Sequence, residues 1–288
     1  MKFTEQYFPG PSRVNWKPYR ASWKPYLFPC AILGFFTLLA LFPELFAPYG
    51  PRELVKPWCE PCAEYLLGTS NLGRDNLTLL IYAARVTLLI GFASAALAIS
   101  IGVVIGLISG WHRGPVDDLL MGATDIVMII PKFPLIIILS AYLSPGPWIL
   151  ILVLGALSWE GVARVVRSKV LQVRSNEYIL SARCLGFSRW HIMFREIFPV
   201  VLPVVVPQFV LATAGAMLSE SALSFLGLSS TTMISWGVII SDAYTYGGFS
   251  EGMWYWWLPP AVCIILCVIA VTSIAFIRER GQRVVIQS

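Results

Sequence analysis

The sequence predicts an all-α polytopic membrane protein with six transmembrane helices, and three observations carry that reading. Of its 288 residues, 57% are hydrophobic and 13% charged, against about 45–50% and about 25% in an ordinary soluble domain. Six apolar segments are long enough for a hydrocarbon core about 30 Å thick, which takes about 20 helical residues to cross. The basic residues lie between these segments and recur on alternate sides, as membrane topology requires.

Residues 1–25 carry Lys2, Arg13, Lys17, Arg20 and Lys24 among prolines, where a cleavable signal would have a short apolar run and a small-residue cleavage site. They read as a retained cytoplasmic tail, with one transmembrane domain over 26–288. The spans run from Tyr26 to Ala47, Arg85 to Trp111, Leu119 to Leu143, Pro147 to Val166, Val200 to Glu220 and Pro259 to Ile277. An extracytoplasmic loop, 48–84, follows the first span, and Arg52, Lys56 and Arg74 stand there among Glu53, Glu60, Glu64 and Asp75. Arg74 and Asp75 are expected to pair. A cytoplasmic loop, 167–199, holds Arg167, Lys169, Arg174, Arg183, Arg189 and Arg195. A second extracytoplasmic loop, 221–258, has no basic residue, only Asp242 and Glu251. With Arg278, Arg280 and Arg283 near the end, the excess of Lys and Arg puts both termini in the cytoplasm. Trp254, Tyr255, Trp256 and Trp257 precede the last span and read as an interfacial aromatic belt.

Ionisable residues inside spans are functional candidates. Asp125 is expected to pair with an arginine or cap a bent helix, and Glu160 and Arg164, spaced i, i+4, to pair with each other. Glu220, at the outer end of its span, faces the solute path or reaches water. Asp125 and Glu220 are the candidate pathway residues.

The net charge of +5 is spread between apolar segments rather than gathered on a basic, aromatic-interleaved face, which argues against nucleic acid. Cys30, Cys184, Cys263 and Cys267 read as small hydrophobes. Cys59 and Cys62 form one CxxC pair, too few ligands for a closed zinc site, leaving a local disulfide or an unjoined pair. No GxxxxGK[ST], HExxH or GxSxG element occurs, so the chain lacks a phosphate cradle and a hydrolytic centre.

The polar island NEYILSARCLGFSRWHIMFREIFP, residues 176–199, stands apart. Asn176 can cap a helix through about Leu185, with Glu177 at its positive end. Gly186 can take a left-handed C-cap, Ser188 can cap a second helix, and Pro199 can end or kink it. Tyr178, Ala182 and Leu185 would share a face able to enter a groove on another protein.

This stretch resembles the EAA loop of ABC-importer permeases, in which a Glu-Ala-Ala element, a glycine and a terminal Ile-x-Pro dock into the ATPase subunit. Ala182, Gly186, Ile197 and Pro199 match, while Leu180 and Ser181 stand where Glu and Ala would. LLGTSNLGRDNLTLLIYAARVTLLIG is similar to the GTDxxGRDxxSRxxxGARxSL signature of dipeptide, oligopeptide and nickel importer permeases, with Gly68, Thr69, Gly73, Arg74, Asp75, Ala84 and Arg85 in register. DIVMIIPKFPL is similar to that family's D-x5-P span, and SESALSFLGL with SWGVII to its outer loop.

The resemblance implies the type I ABC importer permease fold with a cytoplasmic coupling helix, in the cell membrane. Glu177, Tyr178, Ala182, Gly186, Ile197 and Pro199 would carry ATPase coupling. It implies a second homologous permease, two ATPase subunits or domains that hold ATP and magnesium, and an extracytoplasmic solute-binding protein, with no cofactor on this chain. The solute would be a di- or oligopeptide; oligosaccharides or nickel complexes fit the same architecture, and an ion-driven secondary transporter is the rival from another class.

Overall fold

The computed structural model describes residues 24–143, 146–230 and 233–287, so the tail expected over 1–25 lies almost wholly outside the described residues. Helix α1 (Lys24–Leu41) stops at Phe42 and resumes as the single turn α2 (Pro43–Phe46). Helix α3 (Asn76–Trp111) starts at Asn76 rather than Arg85 because the Asp75 carboxylate caps it, accepting from Thr78 N at 2.7 Å. The first long loop is shorter than expected by the same amount.

The third expected span is two helices, α4 (Pro115–Ile129) and α5 (Lys132–Tyr142), bent by 82°. Pro131 disfavours the helical conformation at the residue before it, and Ile130 is extended, with φ −69° and ψ 127°. The fourth is likewise broken, into α6 (Pro147–Ala156) and α7 (Glu160–Arg174) at 44°.

Helix α8 (Glu177–Cys184), the turn α9 (Arg189–His191), a π-turn (Ile192–Ile197) and α10 (Phe198–Phe225) follow. Pro199 does not end or visibly break the helix, which runs from Arg189 to Phe225. Phe198 N bonds to Met193 O, five residues back, and the widened turn takes the proline into the first turn of α10 without a clash.

Helix α11 (Trp236–Thr245) lies inside the expected loop 221–258, and α12 (Trp254–Gln287) begins before Pro259. The four aromatics are therefore consecutive residues of a helix turn and point all round it. Trp254 is exposed while Tyr255 and Trp256 turn into the core, so the belt is only partly a belt.

Helix α3, the Arg189–Phe225 helix and α12 over Trp254–Ile277 are each long and apolar enough to cross a membrane, and counting each bent pair as one span gives up to five. Helix α1 is shorter.

Helix α3 is the central post, packed against α7, α10, α6 and α1. Three glycines at i, i+4 and i+8 make its closest contact. A Cβ on Gly102, Gly106 or Gly110 would lie 2.6 Å from an atom of Val162, Ala163 or Val170 respectively. The two backbones approach over a small-residue stripe, the packing that suits helices in lipid. Helix α11 tucks in from the other end: Trp236 is fully buried, its indole N–H donating to Leu80 O at 3.0 Å and its backbone N–H to Thr87 Oγ1 at 3.2 Å.

Candidate functional site

Two helices flank Gly186, as the local pattern of caps predicts. Ser188 caps α9 by accepting from His191 N at 3.2 Å. Asn176 holds the N-cap position with ψ 145° but makes no side-chain cap; its carbonyl accepts from Ile179 and Leu180 instead. Helix α8 closes with a Schellman turn, Gly186 N bonding to Arg183 O at 3.0 Å and Phe187 N to Ala182 O at 3.2 Å, with Gly186 at φ +81°.

The face that α8 offers differs from the expected one. Ile179 is fully buried among Val170, Val173, Ile192 and Ile197, and Ala182 packs on the same cluster. Tyr178 and Leu185 are exposed, so Tyr178, Ala182 and Leu185 do not form one free face. The free stripe is Glu177, Leu180, Ser181 and Cys184, continued by Leu185. Periodicity could not choose between the two faces, because each holds apolar residues and only the body of the protein decides which is covered. Ile197 is buried in the same cluster and Pro199 is exposed.

The inner flank of α8 and the end of α7 are both fastened to the end of α3. The Arg183 guanidinium lies 4.5 Å over the Trp111 ring, and Arg174 Nη1 donates to Trp111 O at 2.5 Å, supplying a cation to the C-terminal carbonyls of α3.

Further along, three ion pairs join α4 and α5 to α7. Arg167 grips Asp117 with two bonds of 2.7 Å, and Ser109 donates to the same carboxylate. Arg164 Nη2 lies 2.5 Å from Asp125 Oδ1, which fulfils the expectation of an arginine partner for Asp125. Lys132 pairs with Glu160. The expected Glu160–Arg164 pair is thus not made, since each residue has a partner on the facing element. Glu160, Arg164 and Arg167 sit at i, i+4 and i+7 on one face of α7, a charged stripe that marks a facing helix and that the sequence reading passed over.

Glu220 neither reaches water nor borders the open cavity described below. It is fully buried and accepts from Ser224 Oγ at 2.8 Å and Ser221 Oγ at 3.4 Å, with Ser235 at the start of α11 as a third donor.

The signature residues of the first loop are architectural. Gly68 and Gly73 have φ +62° and +72°, and a Cβ there would lie 2.5 Å from Cys59 O and 2.2 Å from Val55 O. Buried Thr69 accepts from Cys59 N at 2.8 Å and donates to Lys56 O at 2.7 Å. Arg74 and Asp75 do not pair, because Asp75 is committed to the cap of α3. The charge of Arg74 is felt instead by Asp242, whose carboxyl burial pushes up and the guanidinium draws back down. Arg85 is exposed on α3. Cys59 and Cys62 are free thiols, Cys62 Sγ accepting from Tyr65 N at 3.4 Å.

Residues 102–284 match the family model described as "binding-protein-dependent transport system inner membrane component". The chain is 32% identical over 250 residues to the dipeptide transport system permease protein of Bacillus subtilis, covering 83% of this chain and 77% of that one. It is 32% identical over 221 residues to the oligopeptide transport system permease protein of the same organism, covering 75% and 72%. The di/tripeptide transport system permease protein of Pseudomonas aeruginosa is 32% identical over 249 residues, covering 82% and 81%. Among solved structures, a chain of the MetNI methionine ABC transporter in an inward-facing conformation superposes with TM-score 0.56 at 19% identity, over 73% of this chain and 95% of that one.

Proposed function

This chain belongs to the family of binding-protein-dependent transport system inner membrane components, and from that premise we propose that it lines the translocation pathway of an ATP-driven importer for di- or oligopeptides. Members are non-catalytic permease components of ABC transporters in the inner membrane, working with binding-protein and ATPase partners. The peptide assignment draws on the three relatives above, each a peptide transport permease.

On this reading α1 with α2 supplies a sixth span and both termini are cytoplasmic. A second homologous permease completes the pathway, and two ATPase subunits or domains bind ATP and magnesium, leaving none to this chain. Gly68, Thr69, Gly73, Arg74, Asp75 and Arg85 build and border the outer loop toward the binding protein.

The observation that carries the coupling role is the build of α8. One face is pinned by fully buried Ile179, and the opposite stripe, from Glu177 through Leu180 and Ser181 to Cys184, is free. A helix held this way transmits a push rather than sliding under it. Closure of the ATPase dimer on the free stripe then drives α7 and α10, against which Ile179 and Ala182 pack. Gly186 and the π-turn with Ile197 and Pro199 set the angle between α8 and α10.

The test uses Leu180→Arg and Gly186→Pro in the full complex, read by co-purification of the ATPase subunits and by peptide-stimulated ATP hydrolysis. Leu180→Arg leaves the buried face intact, so loss of both readouts reports docking; retention of both in the two variants rejects it. Stimulation by an oligosaccharide or a nickel complex in place of peptides would reassign the solute, and uptake driven by an ion gradient without ATP would overturn the importer reading.

A further inference from the structure

A cavity of about 340 Å³ opens where α5, the α6–α7 break and α10 meet, a size at the lower end of small-ligand pockets, about 300–1,000 Å³. Its α10 wall is formed by Gln208, Leu211, Ala212, Gly215, Ala216 and Ser219. A Cβ on Gly215, or on Gly161 opposite, would meet no atom within 4 Å. Glu160 lies six residues, about 9 Å at 1.5 Å per residue, along α7 from Val166, where the expected fourth span ends.

The wall at the break carries the Lys132–Glu160 pair. Glu160 is 3% exposed and Lys132 43%. Lys132 occupies only Oε1; among the described residues Glu160 Oε2 is buried without a hydrogen-bond donor. An ionised carboxylate oxygen left bare in the interior is costly unless a donor arrives. On the same helix the bidentate Arg167–Asp117 pair, by contrast, leaves neither carboxylate oxygen bare.

We propose that Lys132 and Glu160 form the charge-recognition site for the solute in the pathway, Glu160 Oε2 receiving the α-ammonium of a peptide and Lys132 its carboxylate. This rests on the peptide reading above. The pair is neutral as it stands, and a zwitterion is neutral too, so exchanging Lys132–Glu160 contacts for contacts to the two ends of a peptide leaves no net charge in the membrane. Lys132, half exposed on a four-carbon stem, can swing to follow the solute carboxylate, while Glu160 is held by the first turn of α7. The site then prefers free termini to capped ones and is indifferent to side chains, which meet the broad wall of α10.

The experiment reconstitutes the full complex with its binding protein in proteoliposomes. It compares uptake of a free dipeptide with the N-acetylated and C-amidated forms, each supplied at a concentration that saturates the binding protein. Because the binding protein is the same throughout, its own preference cancels from the ratio between variant and parent. Glu160→Gln is expected to lower uptake of the free dipeptide about tenfold, the scale of a lost charge-assisted hydrogen bond, and that of the N-acetylated form less than about twofold. Lys132→Gln should show the same contrast between free and C-amidated forms. The double variant Lys132→Met/Glu160→Met removes both charges together, a change buried pairs tolerate, and should co-purify with its partners while losing the preference for free termini. Equal effects on free and capped peptides, whether losses or none, overturn the inference alone. A parent complex that transports no peptide but another solute overturns the peptide reading and the inference with it.

Discussion

Asp75 shows how a family signature can be read for the wrong reason. Its neighbour Arg74 suggests a surface ion pair, yet the carboxylate turns back to Thr78 N and starts α3. Asp75→Ala is expected to cost about 1 kcal/mol as a lost N-cap, seen as a lower thermal midpoint of the purified complex, with Asp75→Asn recovering most of it. Gly186 is a milder case of the same logic. Its φ of +81° strains any other residue, but a Cβ there meets no atom, so Gly186→Ala should cost about 1–2 kcal/mol of backbone strain and lower ATPase affinity without blocking assembly in the membrane. What sequence cannot see at this scale is the partner from a distant element. The i, i+4 rule joins Glu160 to Arg164, but Lys132 and Asp125 claim them across a gap that no local spacing records.

Among elements, the caps of α8 and α9 were legible because capping and the glycine turn are local chemistry, and the structure bears out Gly186 and Ser188. The breaks of α4–α5 and α6–α7 were not read, although Pro131 announces the first: an apolar run long enough to span hides a bend, since hydropathy is blind to direction. The contact of α3 with α7 was equally open to inspection in the glycines at 102, 106 and 110. Gly106→Val would place a side chain where Ala163 O already lies 2.6 Å from the first added carbon. The helices must part or twist, an overpacking of about 1–3 kcal/mol or more, and the measurable outcome is loss of assembled complex, with Gly122→Val, whose Cβ position is open, as the tolerated control.

At the scale of the whole molecule the charge count predicts an orientation that native cysteines can report. Cys62 in the first loop and Cys184 on α8 are both exposed and free. In intact cells carrying Cys30→Ser, a membrane-impermeant maleimide should modify Cys62 and spare Cys184, and inverted vesicles should give the opposite; labelling of both from one side would overturn the proposed topology. The polytopic helical class was plain from composition, whereas the buried α11 was not, because a helix that enters the body from a loop has neither the length nor the apolarity of a span. The π-turn at Ile192–Ile197 bears on how these parts move. It behaves as a dislocation in a one-dimensional lattice, one surplus residue spread over a single turn. Such a defect glides: shifting it by one residue exchanges one backbone hydrogen bond for another and turns the residue it passes by about 100°. The rod from Arg189 to Phe225 can therefore alter its twist between the coupling end and the cavity wall while remaining helical throughout.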